Sequence, residues 1–385
     1  MFLPCQEDPA MSASAPGATI RECFASMKDP RLERNKKHLL LDIITIAICA
    51  AISGADDWVA VAEFGRSKIE WLQEYLELPN GIPSHDTFGD VFSRLCPKQF
   101  KECFLTWVQS VFEIADGQVI PIDGKTLRRS HDRSEGKTAI HMVSAWASAN
   151  QIVLGQVKTE EKSNEITAIP ALLRLLAIKG CIVTIDAMGC QTEIAAQIIA
   201  QGGDYVFALK GNQSTLHEDV KSFFEDATLQ ADPDLTVQRE QTTDGDHGRV
   251  EIRRYRCTSD ISWLDESGRW EGLRSICEVL SERHVGDLIS REARYFIGSI
   301  PADPKLWAHA VRAHWGIENK LHWRLDVVFR EDDSRVRKGH GPENLAVLRH
   351  IASNLLSRDP NKGSFKTKRY RAALSDAYRL KILTG

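Results

Sequence analysis

The sequence has no run of eighteen apolar residues, the length a membrane-spanning helix needs. Its longest apolar stretch, IITIAICAAISG from Ile43, has the length of a core helix. The opening residues, MFLPCQEDPAMSASAPGAT, lack a basic start and a continuous apolar segment, which argues against a secretory signal. The nine cysteines form no CxxC pair and follow no regular spacing, against both a disulfide framework and a zinc ribbon. There is no GxSxG and no cysteine in a catalytic context, so no protein nucleophile is evident. No internal repeat occurs. Charge of one sign is also missing: 49 Lys and Arg stand against 53 Asp and Glu, and a net charge of −4 gives no bulk support for nucleic-acid binding. What these absences leave is a cytoplasmic, non-membrane globular protein of 385 residues, 43% hydrophobic, long enough for two or three cooperative units.

Local charge says more than the total. From Arg358 to Lys381 there are eight Lys and Arg against two acids, with Arg335, Arg337, Lys338 and His340 just before. A second cluster follows Asp123, with Lys125, Arg128, Arg129, His131 and Arg133. A third comprises Arg31, Arg34, Lys36, Lys37 and His38. A single basic run is most often a solvated face. Three of them beside candidate functional elements favour an anionic polymer as partner.

Residues 1–18, rich in Ser, Ala, Pro and Gly, read as a flexible tail. Residues 19–115 are helical in period, with segments Leu39–Ser53, Asp57–Tyr75, Ser84–Leu95 and Phe100–Ile114. The pair from Trp58 to Leu95, broken by Pro79-Asn80-Gly81, is either a helix–turn–helix reader of DNA or a plain helical support. Residues 116–211 change character. QVIPIDG is a short strand ending in Asp123, and two strands flank Ala149-Asn150 as a hairpin. A helix over Asn164–Lys179 precedes the strand CIVTIDA with Asp186, a helix over Gln191–Ala200 and the strand DYVFALK. Residues 212–292 alternate loosely and read as a β-rich insertion. Residues 293–356 hold the strand RYFIGSI, a helix from Lys305 with Ile317, Leu321, Leu325 and Val328 on one stripe, and the helix Glu343–Leu356. The basic tail, residues 357–385, closes the chain.

Three acids carry the chemistry. A carboxylate at the end of a buried strand is costly to desolvate unpaired, and IPID and VTID end the same way. Ligands gather at the carboxyl ends of such strands, although each Asp alone also suits a turn cap. Glu318 lies at the rim of the apolar stripe of its helix, so it can join the same pocket. Three converging carboxylates repel, and hard dications such as Mg²⁺ or Mn²⁺ relieve this through oxygen ligation. Two such ions activate a water or a 3′-hydroxyl for in-line phosphoryl transfer. Other readings compete. His314, Glu318 and His322, at four-residue steps, suggest zinc, though not at HExxH spacing. Asp326 is a rival third acid. Trp315 either stacks on an unpaired base or packs, and Lys210 either contacts a phosphate or is solvated. IDGKT loosely matches the nucleophile loop of haloacid-dehalogenase-like phosphatases, but Lys125 stands where that loop has its second Asp.

The order strand-Asp, hairpin, helix, strand-Asp, helix, strand, β-rich insertion, helix-Glu resembles the RNase H-like core of bacterial DDE transposases. PIDGKTLRRS, TIDAMGCQ, FALKGNQ, HGRVEIRRY and HWGIENKLHWRLDVVFREDDSR are similar to the H-repeat-associated transposases of insertion sequences, a likeness running from about Ile20 to Leu356. It implies an α/β, RNase H-like mixed-sheet core with a β-rich insertion and an N-terminal all-helical domain. It also implies Asp123, Asp186 and Glu318 as catalytic metal ligands and double-stranded DNA (element ends and target) as partner. Lys125, Arg128, Arg129, Lys210, Arg312, Trp315 and Arg324 are the expected DNA contacts, with two Mg²⁺ or Mn²⁺ ions and a homodimer on DNA. The Tyr, Arg, Glu and Lys pattern of the wider group is incomplete: its flanking positions hold Val311, His314 and Leu325, with Arg312 and Arg324 one position out of register. A transposase-derived DNA-binding protein without activity is the alternative.

Overall fold

The computed structural model describes residues 19–384 except 114, 132–135, 137, 160–164, 227, 229–234 and 247. The expected tail 1–18, Arg133 and Asn164 lie outside them. Six helices open the chain: α1 (Ile20–Phe24), α2 (Leu40–Ile52), α3 (Trp58–Ser67), α4 (Ile69–Gln73), α5 (His85–Arg94) and α6 (Pro97–Val111). Their starts are written locally. Thr19 and Glu22 form a capping box, Asp57 and Ser84 cap α3 and α5, and Pro97 occupies the first turn of α6. The single helix expected over Asp57–Tyr75 breaks at Lys68, whose φ of −120° leaves the helical region. The would-be recognition helix α5 is packed against α3 and against the later helix Gly341–Arg358, whose Asn344 donates to the carbonyls of Phe92 and Leu95. Its exposed positions include His85, Asp86 and Arg94, while the half-buried Asp90 is paired with Arg94 and Lys338.

The core follows: β1 (Val119–Thr126), β2 (His141–Ala147), β3 (Ile152–Thr159), α7 (Glu165–Leu173), β4 (Ile182–Ile185), α8 (Thr192–Ala200), β5 (Asp204–Leu209) and α9 (Ser214–Glu225). Then come β6 (Gln238–Asp246), β7 (Arg249–Thr258), β8 (Ser275–Val285) and β9 (Leu288–Gly298). All nine strands form one sheet in the order β3-β2-β1-β4-β5-β9-β8-β7-β6. β1, β4 and β5 run parallel, with β2 and β3 antiparallel beside them, which is the RNase H-like arrangement. The insertion is β-rich but does not stand apart. β9 pairs antiparallel with β5, from Val206↔Gly298 to Leu209↔Tyr295, and so continues the core sheet.

That junction is tight. A Cβ placed on Gly298 meets the Tyr205 carbonyl oxygen at 2.8 Å and the Trp307 ring at 2.9 Å. Trp307 is fully buried and cannot give way. Gly298→Ala is therefore expected to cost about 1–3 kcal/mol of overpacking, read as a lower urea midpoint.

Helix α10 (Pro304–Gly316) starts at Asp303, whose carboxylate accepts from the backbone of Lys305 and Leu306. It runs into a π-helical turn over Ile317–His322 and then α11 (Trp323–Val327). Of the expected stripe, Ile317, Leu321 and Leu325 are buried and Val328 is half-buried against the same core. α12 (Gly341–Arg358), α13 (Phe365–Leu374) and α14 (Asp376–Thr384) complete the chain.

The expected basic tail is thus a helical pair packed on α2 and α12. Several of its cations face inward. Arg369 bonds the Ala51 carbonyl and the Asp56 carboxylate, and Arg379 is fully buried, its guanidinium 4.1 Å from the Trp71 ring. One apolar cluster runs from Ile20 to Ile382, joining the N-terminal helices, one face of the sheet and the C-terminal pair. A second, including Val119, Ile182, Val206 and Trp307, lies between the opposite face and α10. Among the described residues no helix is long and apolar enough to cross a membrane.

Candidate active site

β1 and β4 pair in register up to Ile122↔Ile185, so Asp123 and Asp186 come next, side by side. Adjacent strands hold their backbones roughly 5 Å apart. Side chains alternate along a strand. Val119 and Ile182 pack toward α10, and the Thr184 hydroxyl is 3.0 Å from His314 Nδ1 on that helix. Asp123 and Asp186 are therefore on this same face, beneath the helix that carries Glu318. The strand expected to end at Asp123 in fact continues to Thr126, paired there only with β2; the parallel neighbour stops where the acids begin.

Each aspartate is held locally. Asp123 Oδ1 accepts from the Gly124 amide at 2.8 Å, and Asp186 Oδ1 accepts from the amides of Met188 and Gly189. Asn212 donates to the Ala187 carbonyl at 2.6 Å and Gln213 to the Cys190 carbonyl at 2.9 Å, clamping the loop that follows Asp186. FALKGNQ thereby acquires a positioning role that strand periodicity does not reveal. Gly124 has no room for a side chain: a Cβ meets His141 Nε2 at 2.3 Å and Glu165 Oε1 at 2.4 Å. Those two bond each other at 2.6 Å under the strand.

Burial pushes the Asp123 carboxyl up to about 7, and the negative charges of Glu318, Asp186 and Glu165 push the same way. The three expected acids thus share one electrostatic field. Among the described residues, however, no group of three or more His, Cys, Asp or Glu side chains is close enough to hold a metal ion. Glu318 sits exposed on the π-helical turn, its carboxylate making no hydrogen bond or ion pair among the described residues. Such turns recur at functional sites.

The zinc reading does not survive this turn, because His314 goes to Thr184 while His322 Nδ1 faces Asp123 Oδ2 at 3.6 Å. His322 is pushed down to about 3, chiefly by burial and then by Lys125. The contact joins a neutral imidazole to the carboxyl and is no ion pair.

The neighbouring charges are structural. Lys125 Nζ lies 2.7 Å from Asp326, 3.1 Å from Glu331 and 3.2 Å from Asp332, with its side chain 11% exposed. Asp326, the rival third acid, is thus committed to Lys125. Arg128 pairs with Asp332 and Arg129 with Asp333, both cations remaining open to solvent. Arg324 is 3% exposed and donates to Ser353, Ser357 and Gln151, with its guanidinium 3.5 Å from the Phe365 ring. Lys125 and Arg324, expected on DNA, are turned into the protein. Behind them, burial pushes His350 down to about 4 beside Glu331 and Arg349.

A His depressed in the fold binds its proton more readily when unfolded. Its contribution is therefore full above about 6.5 and lost as pH falls through about 4. His350→Gln removes this dependence. The stability advantage of wild type over the variant should shrink by about 3 kcal/mol between pH 7 and pH 4, measured by urea unfolding at each pH.

Beyond Glu318 opens a groove of about 1030 Å³ between α10 and the insertion. Arg249, Arg253, Arg283 and Arg294 line it, on the same sheet face as the two aspartates, together with Arg312 and Lys320. Arg312 pairs with Asp244 at 2.9 Å, and the Arg294 guanidinium lies 4.1 Å from the Trp315 ring. Lys210 is exposed at the end of β5. The insertion arginines were missed by reasoning from charge runs, because they alternate with other residues along strands; period two in RVEIRRYR is the signal that marks them.

Residues 110–355 match the family model described as a transposase DDE domain, and residues 21–108 its companion, described as DDE_Tnp_1-associated. The chain belongs to the DDE transposase family. This transposase is 41% identical to "H repeat-associated putative transposase YhhI" of Escherichia coli K12, over 95% of the chain and 98% of that protein. It is 44% identical to "Putative transposase YncI" of Escherichia coli O157:H7, over 95% of each. The family and the strand order agree on an RNase H-like core for the transposase. Among solved structures, a piggyBac transposase synaptic complex with hairpin DNA aligns over 94% of the transposase chain and 78% of its own, at 12% identity and a TM-score of 0.43.

Proposed function

We propose that this transposase, encoded by a bacterial insertion sequence, hydrolyses phosphodiester bonds at the ends of its element and joins the freed 3′-hydroxyl to target DNA. The observation that carries the reading is that the parallel register ends at Ile122↔Ile185, which leaves Asp123 and Asp186 as the next residues on neighbouring strands and on one sheet face. Among the described residues Asp123 has no cationic partner to offset its burial and its acidic neighbours, so its charged form is costly without an added cation. An all-carboxylate donor set suits Mg²⁺ or Mn²⁺. Asp123 and Asp186 would hold the ions, with Glu318 completing the set from the π-helical turn. Bound there, two ions supply Lewis acidity and a lowered pKa for the attacking water or hydroxyl.

The rest is done by the chain itself. The Asn212 and Gln213 clamp fixes where Asp186 points, and Gly124 lets His141 and Glu165 brace the strand below Asp123. The groove arginines with Arg312, Arg128, Arg129 and Lys210 grip the duplex through phosphate contacts, and Trp315 stacks on an unpaired base. Two copies would bring two ends together on DNA in the cytoplasm.

The test is incubation of purified protein with duplexes carrying the element's terminal sequences, with Mg²⁺ or Mn²⁺ and with chelator, products being mapped to the nucleotide. Metal-dependent nicks at the element boundary support the reading. Specific retention of end DNA without any metal-dependent product would leave a DNA-binding protein instead.

A further inference from the structure

A second groove, of about 1040 Å³, lies on the other side of Glu318, between α11 and α13. Trp323 on α11 and Tyr370 on α13 both line it, with 56% and 66% of their surface open to solvent. Lys320 and Lys366 flank them, both exposed and neither in an ion pair among the described residues. Asp56, the carboxylate in this lining, is already bonded to Arg369 at 2.8 Å. The groove is therefore net cationic in a chain whose total charge is −4.

We propose that this groove cradles unpaired DNA nucleotides, their bases stacking on Trp323 and Tyr370 and their phosphates meeting Lys320 and Lys366. The proposal deepens the transposase reading and rests on it for the identity of the polymer. Flat apolar rings set among free cations match a partner that is apolar in its bases and anionic in its backbone. The core of a protein–protein interface is depleted in lysine, which this lining is not. Duplex DNA hides its base faces, so open aromatic rings gain stacking only from nucleotides that have left the helix.

Position supports the same occupant. Asn319 and Lys320 line both this groove and the arginine-lined one, and they follow Glu318 directly. A strand that has lost its partner at the candidate active site has a continuous path over the helix to Trp323. The helix α13 that carries Tyr370 lies past residue 355, where the match to the catalytic family model ends.

The full-length protein settles this by fluorescence anisotropy, in chelator and at fixed salt, with a labelled oligothymidylate of about twelve nucleotides and a duplex of about twenty base pairs. Trp323→Ala and Tyr370→Ala should each weaken the oligothymidylate roughly 10- to 100-fold, as expected for one stacked base, and leave the duplex unchanged. Trp323→Phe and Tyr370→Phe should restore most of the loss. Both side chains are exposed, and unchanged thermal melting confirms that the variants fold.

Wild type failing to bind the oligothymidylate, alanine variants binding it as wild type does, or equal losses for both probes would each overturn the proposal. So would a variant that instead shifts the sedimenting species from dimer to monomer, since the groove would then be covered by a second copy. Because no metal is present, the outcome is independent of whether the protein cuts DNA.

Discussion

Asp123→Asn and Asp186→Asn should each lower metal-dependent nicking of an element-end duplex by on the order of a thousandfold or more, while end binding in chelator changes little. The size follows from what the pair does. Removing one preorganised electrostatic contact to a developing charge already costs about a hundred- to a thousandfold, and each aspartate would hold the ions on which that stabilisation depends. Asn keeps the size and one acceptor oxygen, so the Gly124 and Met188 amides stay satisfied. A second readout separates this from unfolding: Mg²⁺ should raise the melting temperature of wild type and fail to raise that of either variant. Nicking at wild-type rate by either one would remove its residue from the site.

Lys125→Met should cost about 3–5 kcal/mol of folding stability, the typical loss when one partner of a buried ion cluster is removed. The lysine balances Asp326, Glu331 and Asp332 at 2.7–3.2 Å. Asp326 and Glu331 are pulled opposite ways by their surroundings: burial raises Asp326, whereas Lys125 and Arg349 overcome that same burial at Glu331 and lower it. Adding Asp326→Asn to Lys125→Met should recover part of the loss, because one uncompensated charge disappears with it. The salt dependence of DNA binding should be the same in wild type and variant. A shallower slope at unchanged stability would instead put Lys125 on a phosphate.

Much of the core was readable because its signals are local. IPID and VTID are short apolar runs closed by an acid, the hairpin has its turn residues, and the stripe of Ile317, Leu321 and Leu325 predicts a buried helical face that the structure has. Two kinds of information were not local. The four-residue steps of His314, Glu318 and His322 suggest one face, yet only the two histidines turn to the strands, His314 to Thr184 and His322 to Asp123, while Glu318 stays exposed on the π-helical turn. The partners of Lys125 and Arg324 come from far along the chain, Asp332 in one case and Ser353 in the other. A cation read from its sequence neighbours alone looks free for DNA. The helical C-terminal pair was hidden for the same reason, since Arg369 and Arg379 find carbonyls and rings supplied by α2, α3 and α4.

The pairing of β9 with β5 has a mechanical meaning. Strands that share backbone hydrogen bonds cannot slide or hinge independently, so the arginines of the insertion and the aspartates of β1 and β4 ride on one stiff plate. Three strand spacings, roughly 14 Å, separate β9 from β1. If the proposed function holds, the offset between where those arginines would grip a double helix and the bond the aspartates would break is a fixed length, a ruler built into the pleat.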